Sequence, residues 1–90
     1  MTMLEIMKER LPEGLEIVRV RELAGRSKIL FSYDGVEVTG YLPKTCAPGK
    51  ETNVADFNIH TVMMEARMRK GDIDGAREWM AKQSALCTAE

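Results

Sequence analysis

Histidine, cysteine and aromatic residues are all scarce in this chain, and each scarcity removes a class of chemistry. A single histidine, His60, leaves any imidazole-based catalysis to one side chain. The two cysteines, Cys46 and Cys87, have no CxxC spacing, which excludes a paired-cysteine redox or zinc motif and leaves both expected as free thiols. Together with His60 they lack a fourth ligand, so neither a metal nor another cofactor is expected. Neither GxGxxG nor the phosphate-loop pattern GxxxxGKS/T occurs, so no glycine-rich nucleotide cradle is encoded. No apolar run approaches the ~20 residues of a membrane span. Met1 to Gly14 lacks the basic start and apolar centre of a secretory signal, and the expectation is a cytoplasmic protein without membrane association. Excess charge of either sign is missing too. Thirteen basic and 14 acidic residues give a formal net charge of -1, so any basic patch has to be local.

What is present suits one folded unit. With 90 residues, 44% of them hydrophobic and 30% charged, a single domain over residues 1–90 with a modest core is expected. Seven methionines against two phenylalanines predict adaptable packing in that core. The strongest local signal runs from Ser27 to Pro43. Asp34-Gly35, flanked by alternating apolar residues, predicts a type I′ hairpin with strands 28–33 and 36–42. Tyr33 then pairs with Val36, Phe31 with Val38 and Ile29 with Gly40. This register sends Ile29, Phe31, Tyr33, Val36, Val38 and Leu42 to the core and turns Lys28, Leu30, Ser32, Glu37, Thr39 and Tyr41 outward.

The remaining elements follow from caps and breakers. Thr2 and Glu5 form a capping box that starts a helix over 3–11, closed by Pro12 and Gly14. A strand over 15–23 turns through Ala24 to Ser27 into the hairpin. Pairing Leu23 with Lys28 puts Val18 opposite Tyr33 and Val20 opposite Phe31, both inward, with Arg19 and Arg21 outward and a bulge near Ile17. A loop over 44–53 leads to a helix over 54–70, capped by Asn53 and ended by Gly71. Asp72 caps a last helix over 73–86. The long helix carries two apolar stripes, one of Ala55, Ile59, Val62, Met63 and Ala66, the other of Val54, Phe57, Met64 and Met68. A helix apolar on two sides is covered on two sides, so the sheet takes one stripe and the last helix, or a second copy in a homodimer, takes the other.

The predicted fold is therefore α+β in the order α-β-β-β-α-α: a three-stranded antiparallel meander with helices packed on one face and the other sheet face open. This order resembles, in outline, that of double-stranded-RNA-binding domains and of some small phage inhibitors of bacterial defence systems, a likeness of fold alone. The start of the long helix, residues 53–57, carries no lysine cluster of the kind such RNA-binding domains use on phosphates.

Candidate functional residues fall on two surfaces. Arg19, Arg21, Lys28, Leu30, Thr39 and Tyr41 share the outer sheet face, where Arg and Tyr suit a protein partner and the same cations suit phosphates. Glu37, placed opposite Ser32 and beside Arg19, is expected to neutralise part of this charge. Phe57, Met64, Met68 and Trp79 form a candidate helix interface. His60 follows Asp56 by one helical turn, the spacing of an oriented base, although such pairs also decorate solvated helices. Cys46 becomes a nucleophile only if His60 approaches it in space. The function expected from these features is that of a small non-enzymatic protein-binding or regulatory protein. A nucleic-acid-binding module is the alternative, and an inhibitor of a bacterial system, of the phage or mobile-element kind, is the third.

Overall fold

The computed structural model describes residues 2–88, with side chains as far as Lys82. The elements are α1 (Met3–Glu9), β1 (Leu15–Leu23), β2 (Arg26–Tyr33), β3 (Val36–Pro43), α2 (Glu51–Arg69) and α3 (Ile73–Thr88). The three strands form one antiparallel sheet in the order β1-β2-β3, and the helices lie against one of its faces. No helix among the described residues is long and apolar enough to cross a membrane.

The β2–β3 hairpin has the expected register, with Tyr33 opposite Val36, Phe31 opposite Val38 and Ile29 opposite Gly40. Asp34 and Gly35 both take positive φ, 48° and 83°, as a type I′ turn requires. The β1–β2 register differs from expectation. The turn is two residues, Ala24-Gly25, so Leu23 pairs with Arg26, Val20 with Ile29 and Ile17 with Phe31. Gly25 makes this tight turn possible at φ 79°. The bulge falls between Ile17 and Arg19, and Val18, expected in the core, is the extra residue and is 52% exposed. Its place inward goes to Leu15 and Ile17, because the bulge resets the alternation between the two halves of β1.

Four helix boundaries also move. The capping box of Thr2 and Glu5 is formed, but α1 stops at Glu9 with Arg10 as its cap, not at Leu11, since the residue before Pro12 is disfavoured in helical conformation. The helix expected from Val54 starts at Glu51, and Asn53 lies inside its first turn instead of capping it. A turn closed by Lys50 N–H to the Ala47 carbonyl (3.1 Å), with Pro48 and Gly49 at its centre, delivers the chain directly into α2 and shortens the expected loop over 44–53. Gly71 ends α2 as expected. Its N–H donates to Met68 O and that of Asp72 to Arg67 O, the paired bonds of a Schellman cap that places Lys70 outside the helix. Asp72 caps α3 by accepting from Gly75 N–H at 2.9 Å, and α3 runs on to Thr88. That bond, then the Arg67 guanidinium, holds the Asp72 carboxyl below the usual aspartate range, so its contribution is lost as pH falls through the lowered value.

The core lies between the sheet and α1 and α2. Phe31, Met7, Ile29, Leu42 and Met63 are its largest fully buried side chains, and α2 contributes the predicted stripe Ala55, Ile59, Val62, Met63 and Ala66. At Gly40 the α2 side chain Val62 packs close against the sheet. A Cβ there would stand 3.0 Å from Phe31 Cε2 and 3.2 Å from Val62 Cγ2. Gly40→Ala therefore overpacks the core and is expected to cost about 1–3 kcal/mol in urea unfolding, whereas Val18→Ala on the bulge stays within about 0.5 kcal/mol. Equal losses from the two would contradict this register.

Candidate functional site

On the outward face the strands line up in rows. Arg19, Leu30 and Thr39 make one row; Arg21, Lys28 and Tyr41 make the next. The six residues singled out from sequence are therefore brought together. Five of them, Arg19, Arg21, Lys28, Leu30 and Thr39, line a shallow depression of about 200 Å³, in which the half-buried Leu30 is the apolar centre. Tyr41 stands beside it, and the Arg26 guanidinium lies 4.4 Å from the centre of its ring. Arg26 was missing from the expected face because Ala24 to Ser27 read as a four-residue turn. Ala24-Gly25 lacks the Asp-Gly signature of the other hairpin, since only Gly25 takes positive φ, so no comparably strong local signal marks Arg26 as the start of β2.

Glu37 does not neutralise this patch. The two-residue turn at Ala24-Gly25 sets Arg19 opposite Leu30, and the bulge at Val18 leaves Glu16 to complete the row of Ser32 and Glu37. The outer face is thus split, with two glutamates at the Asp34-Gly35 end and four cations at the other. Five cations elsewhere form ion pairs: Arg10 with Asp56 at 2.6 Å, Lys44 with Glu22 at 3.1 Å, Arg67 with Asp72 at 2.8 Å, Arg69 with Glu65 at 3.6 Å, and Lys70 with Asp34. Among the described residues no carboxylate pairs with Arg19, Arg21, Arg26 or Lys28.

The second candidate surface separates into two places. Phe57, Met64 and Met68 line a groove of about 740 Å³ between α2 and the free edge of β3, together with Thr39, Tyr41 and Thr61. Trp79 is not there. It sits on α3, edge-on to His60 with ring centres 5.0 Å apart, and Lys82 covers its ring at 4.3 Å. The last helix packs on α2 without covering the second stripe, of which Phe57 and Met68 remain 39% and 54% exposed.

Asp56, one helical turn before His60, pairs with another residue. Both Asp56 oxygens accept from Arg10, Oδ1 from Nε at 2.6 Å and Oδ2 from Nη2 at 2.7 Å, which ties α1 to α2. His60 Nδ1 is buried without a hydrogen-bond partner among the described residues. Cys46 Sγ contacts the Ala47 carbonyl at 3.5 Å, and its side chain packs partly against the core. The Cys87 side chain lies outside the described residues. Among the described residues no three His, Cys, Asp or Glu side chains gather closely enough to hold a metal ion.

The chain matches no protein-family model, no curated protein and no solved structure.

Burial lowers the His60 pKa, outweighing the opposing pull of Asp56, and the Lys82 and Arg10 charges act in the same direction as burial. The imidazole is then neutral at pH 7. Because it packs on the single tryptophan, Trp79 emission should change in one step as His60 gains its proton, with a midpoint below the usual histidine value of about 6.5. His60→Gln should remove that step. A midpoint above the usual value would contradict the buried, unpaired imidazole.

Proposed function

We propose that this chain is a small non-enzymatic protein-binding module of a regulatory kind, whose open sheet face receives an acidic protein surface. The observation that carries the reading is the depression around Leu30: an apolar floor rimmed by cations without partners. Protein interfaces concentrate their energy in such a centre, with a polar rim that excludes water, and arginine is enriched among the residues that carry it. Two of the three cations that line the depression, Arg19 and Arg21, are arginines, whose planar forks take carboxylates two bonds at a time.

The partner is then a surface presenting an apolar side chain flanked by carboxylates. A nucleic-acid module using the same cations is the second reading, favoured by their clustering. It is the weaker because the only aromatic ring on these rows, Tyr41, already has Arg26 stacked on it, and base stacking needs an open ring face.

The two readings diverge on one comparison. A labelled peptide carrying one phenylalanine among glutamates should bind several-fold more tightly than its serine counterpart. Leu30→Ser should abolish that preference, and Arg19→Glu with Arg21→Glu should weaken binding at least tenfold. Tighter binding to mixed-sequence DNA or RNA, falling steeply with salt and indifferent to Leu30→Ser, would put the nucleic-acid reading first.

A further inference from the structure

The two sheet edges are not alike. β1 is blunted by its bulge and by exposed charges, two of the devices that keep an edge strand from pairing. β3 has little such protection. In a two-residue hairpin closed by Tyr33 and Val36, the main-chain groups of Val36, Val38 and Gly40 point to β2, and those of Glu37, Thr39 and Tyr41 point away. The direction is independently marked by Arg69, whose Nη1 donates to the Glu37 carbonyl at 2.7 Å from outside the sheet. The groove holding Phe57, Met64 and Met68 runs alongside.

We infer that the edge of β3 and the second stripe of α2 form the dimer interface of this chain, with β3 pairing antiparallel to β3 of a second copy about a two-fold axis at Gly40. Main-chain chemistry selects that register. With the axis at Gly40, Thr39 and Tyr41 exchange their N–H and C=O groups with Tyr41 and Thr39 of the second copy, and Glu37 falls opposite Pro43. Proline has no N–H to give, and the Glu37 carbonyl needs none because Arg69 already supplies a donor. An axis at Thr39 would set the Tyr41 N–H of one copy against the Glu37 carbonyl that Arg69 holds. An axis at Tyr41 would leave the Thr39 carbonyl facing Pro43 with no donor. Of these three axes, the one at Gly40 alone neither sets an N–H against a carbonyl already in use nor leaves a carbonyl without a donor.

The helix agrees with the strand. Phe57, Thr61, Met64 and Met68 recur at the spacing of one helical stripe, and the residue under Gly40 is Val62, which belongs to the inward stripe and lies midway along the helix between Phe57 and Met68. The same axis therefore lays the two α2 helices antiparallel, with Phe57 of each copy toward Met68 of the other. On the outer face it also brings Glu37 into the row that holds Arg26 of the second copy, so the glutamate end of one sheet meets the cationic end of the other. Strand edge and stripe together offer a face about 25 Å by about 20 Å, roughly 1,000 Å² counted over both copies, which is where specific interfaces begin. The product is a six-stranded sheet whose cationic depressions lie side by side, with Thr39 and Tyr41 of both copies between them.

Sedimentation of the purified chain should show reversible dimers with a midpoint in roughly the micromolar range, and Met68→Lys, at a side chain exposed in one copy, should raise the dissociation constant at least tenfold while leaving the fold unchanged by circular dichroism. Register is read by crosslinking with Cys46 and Cys87 replaced by serine. Thr39→Cys mixed with Tyr41→Cys should form a disulfide-linked dimer in a glutathione buffer, because directly opposed residues fall within disulfide range, and neither variant should do so alone. A chain that stays monomeric at high concentration would overturn the inference, as would crosslinking of either single variant by itself.

Discussion

Two tight turns and one bulge decide how the three strands align, and every surface of the molecule depends on that alignment. Asp34-Gly35 and Ala24-Gly25 leave β2 no freedom to slide against its neighbours, since a shift of one residue would send Phe31 and Ile29 to water. The extra residue at Val18 then lets Leu15 and Ile17 share the inner face with Val20, although their spacing along the chain is out of phase. With the inner face settled, the alternation of the strands places Arg19, Arg21, Arg26 and Lys28 outward without further cause.

The helices complete the division. α2 fits close over Gly40, where the missing side chain lets Val62 and Phe31 meet, and Arg10 and Asp56 fasten α1 to it. Arg67, Asp72 and the Schellman cap at Gly71 turn α3 back along α2 on the side of His60 and Trp79. One stripe of α2 is thereby spent on the core, and the other is left beside the edge of β3. Exposed pairs contribute little stability, so the five ion pairs elsewhere on the surface mostly balance charge, and the four clustered cations of the open sheet face make none.

Much of this was legible from local chemistry. The Asp34-Gly35 hairpin, the Thr2–Glu5 capping box, the Asp72 cap and the inward stripe of α2 each rest on a few neighbouring residues, and each is found where the residues place it. The six residues expected on the outer face are together there as well. What escaped depends on alternatives of nearly equal local merit. Ala24-Gly25 and Ala24 to Ser27 are both acceptable turns, and the longer one hides Arg26, while Val18 is turned outward by a bulge that lies at Val18 and not at Ile17. The start of α2 turned on whether Pro48-Gly49 closes a turn, which Asn53 as a plausible cap obscured. The placement of Trp79 against His60, away from Met64 and Met68, depends on how α3 rotates as it packs, which no periodicity within α3 encodes.

The clustered cations and the Leu30 depression are what would make the outer sheet face the binding surface. The most direct test is a titration of isotopically labelled protein with the phenylalanine-glutamate peptide, followed by backbone amide chemical shifts. The account predicts that the shifts gather at Arg19, Arg21, Lys28 and Leu30 and fade along α2 and α3. Shifts confined to the helices, with β1 and β2 unmoved, would contradict it.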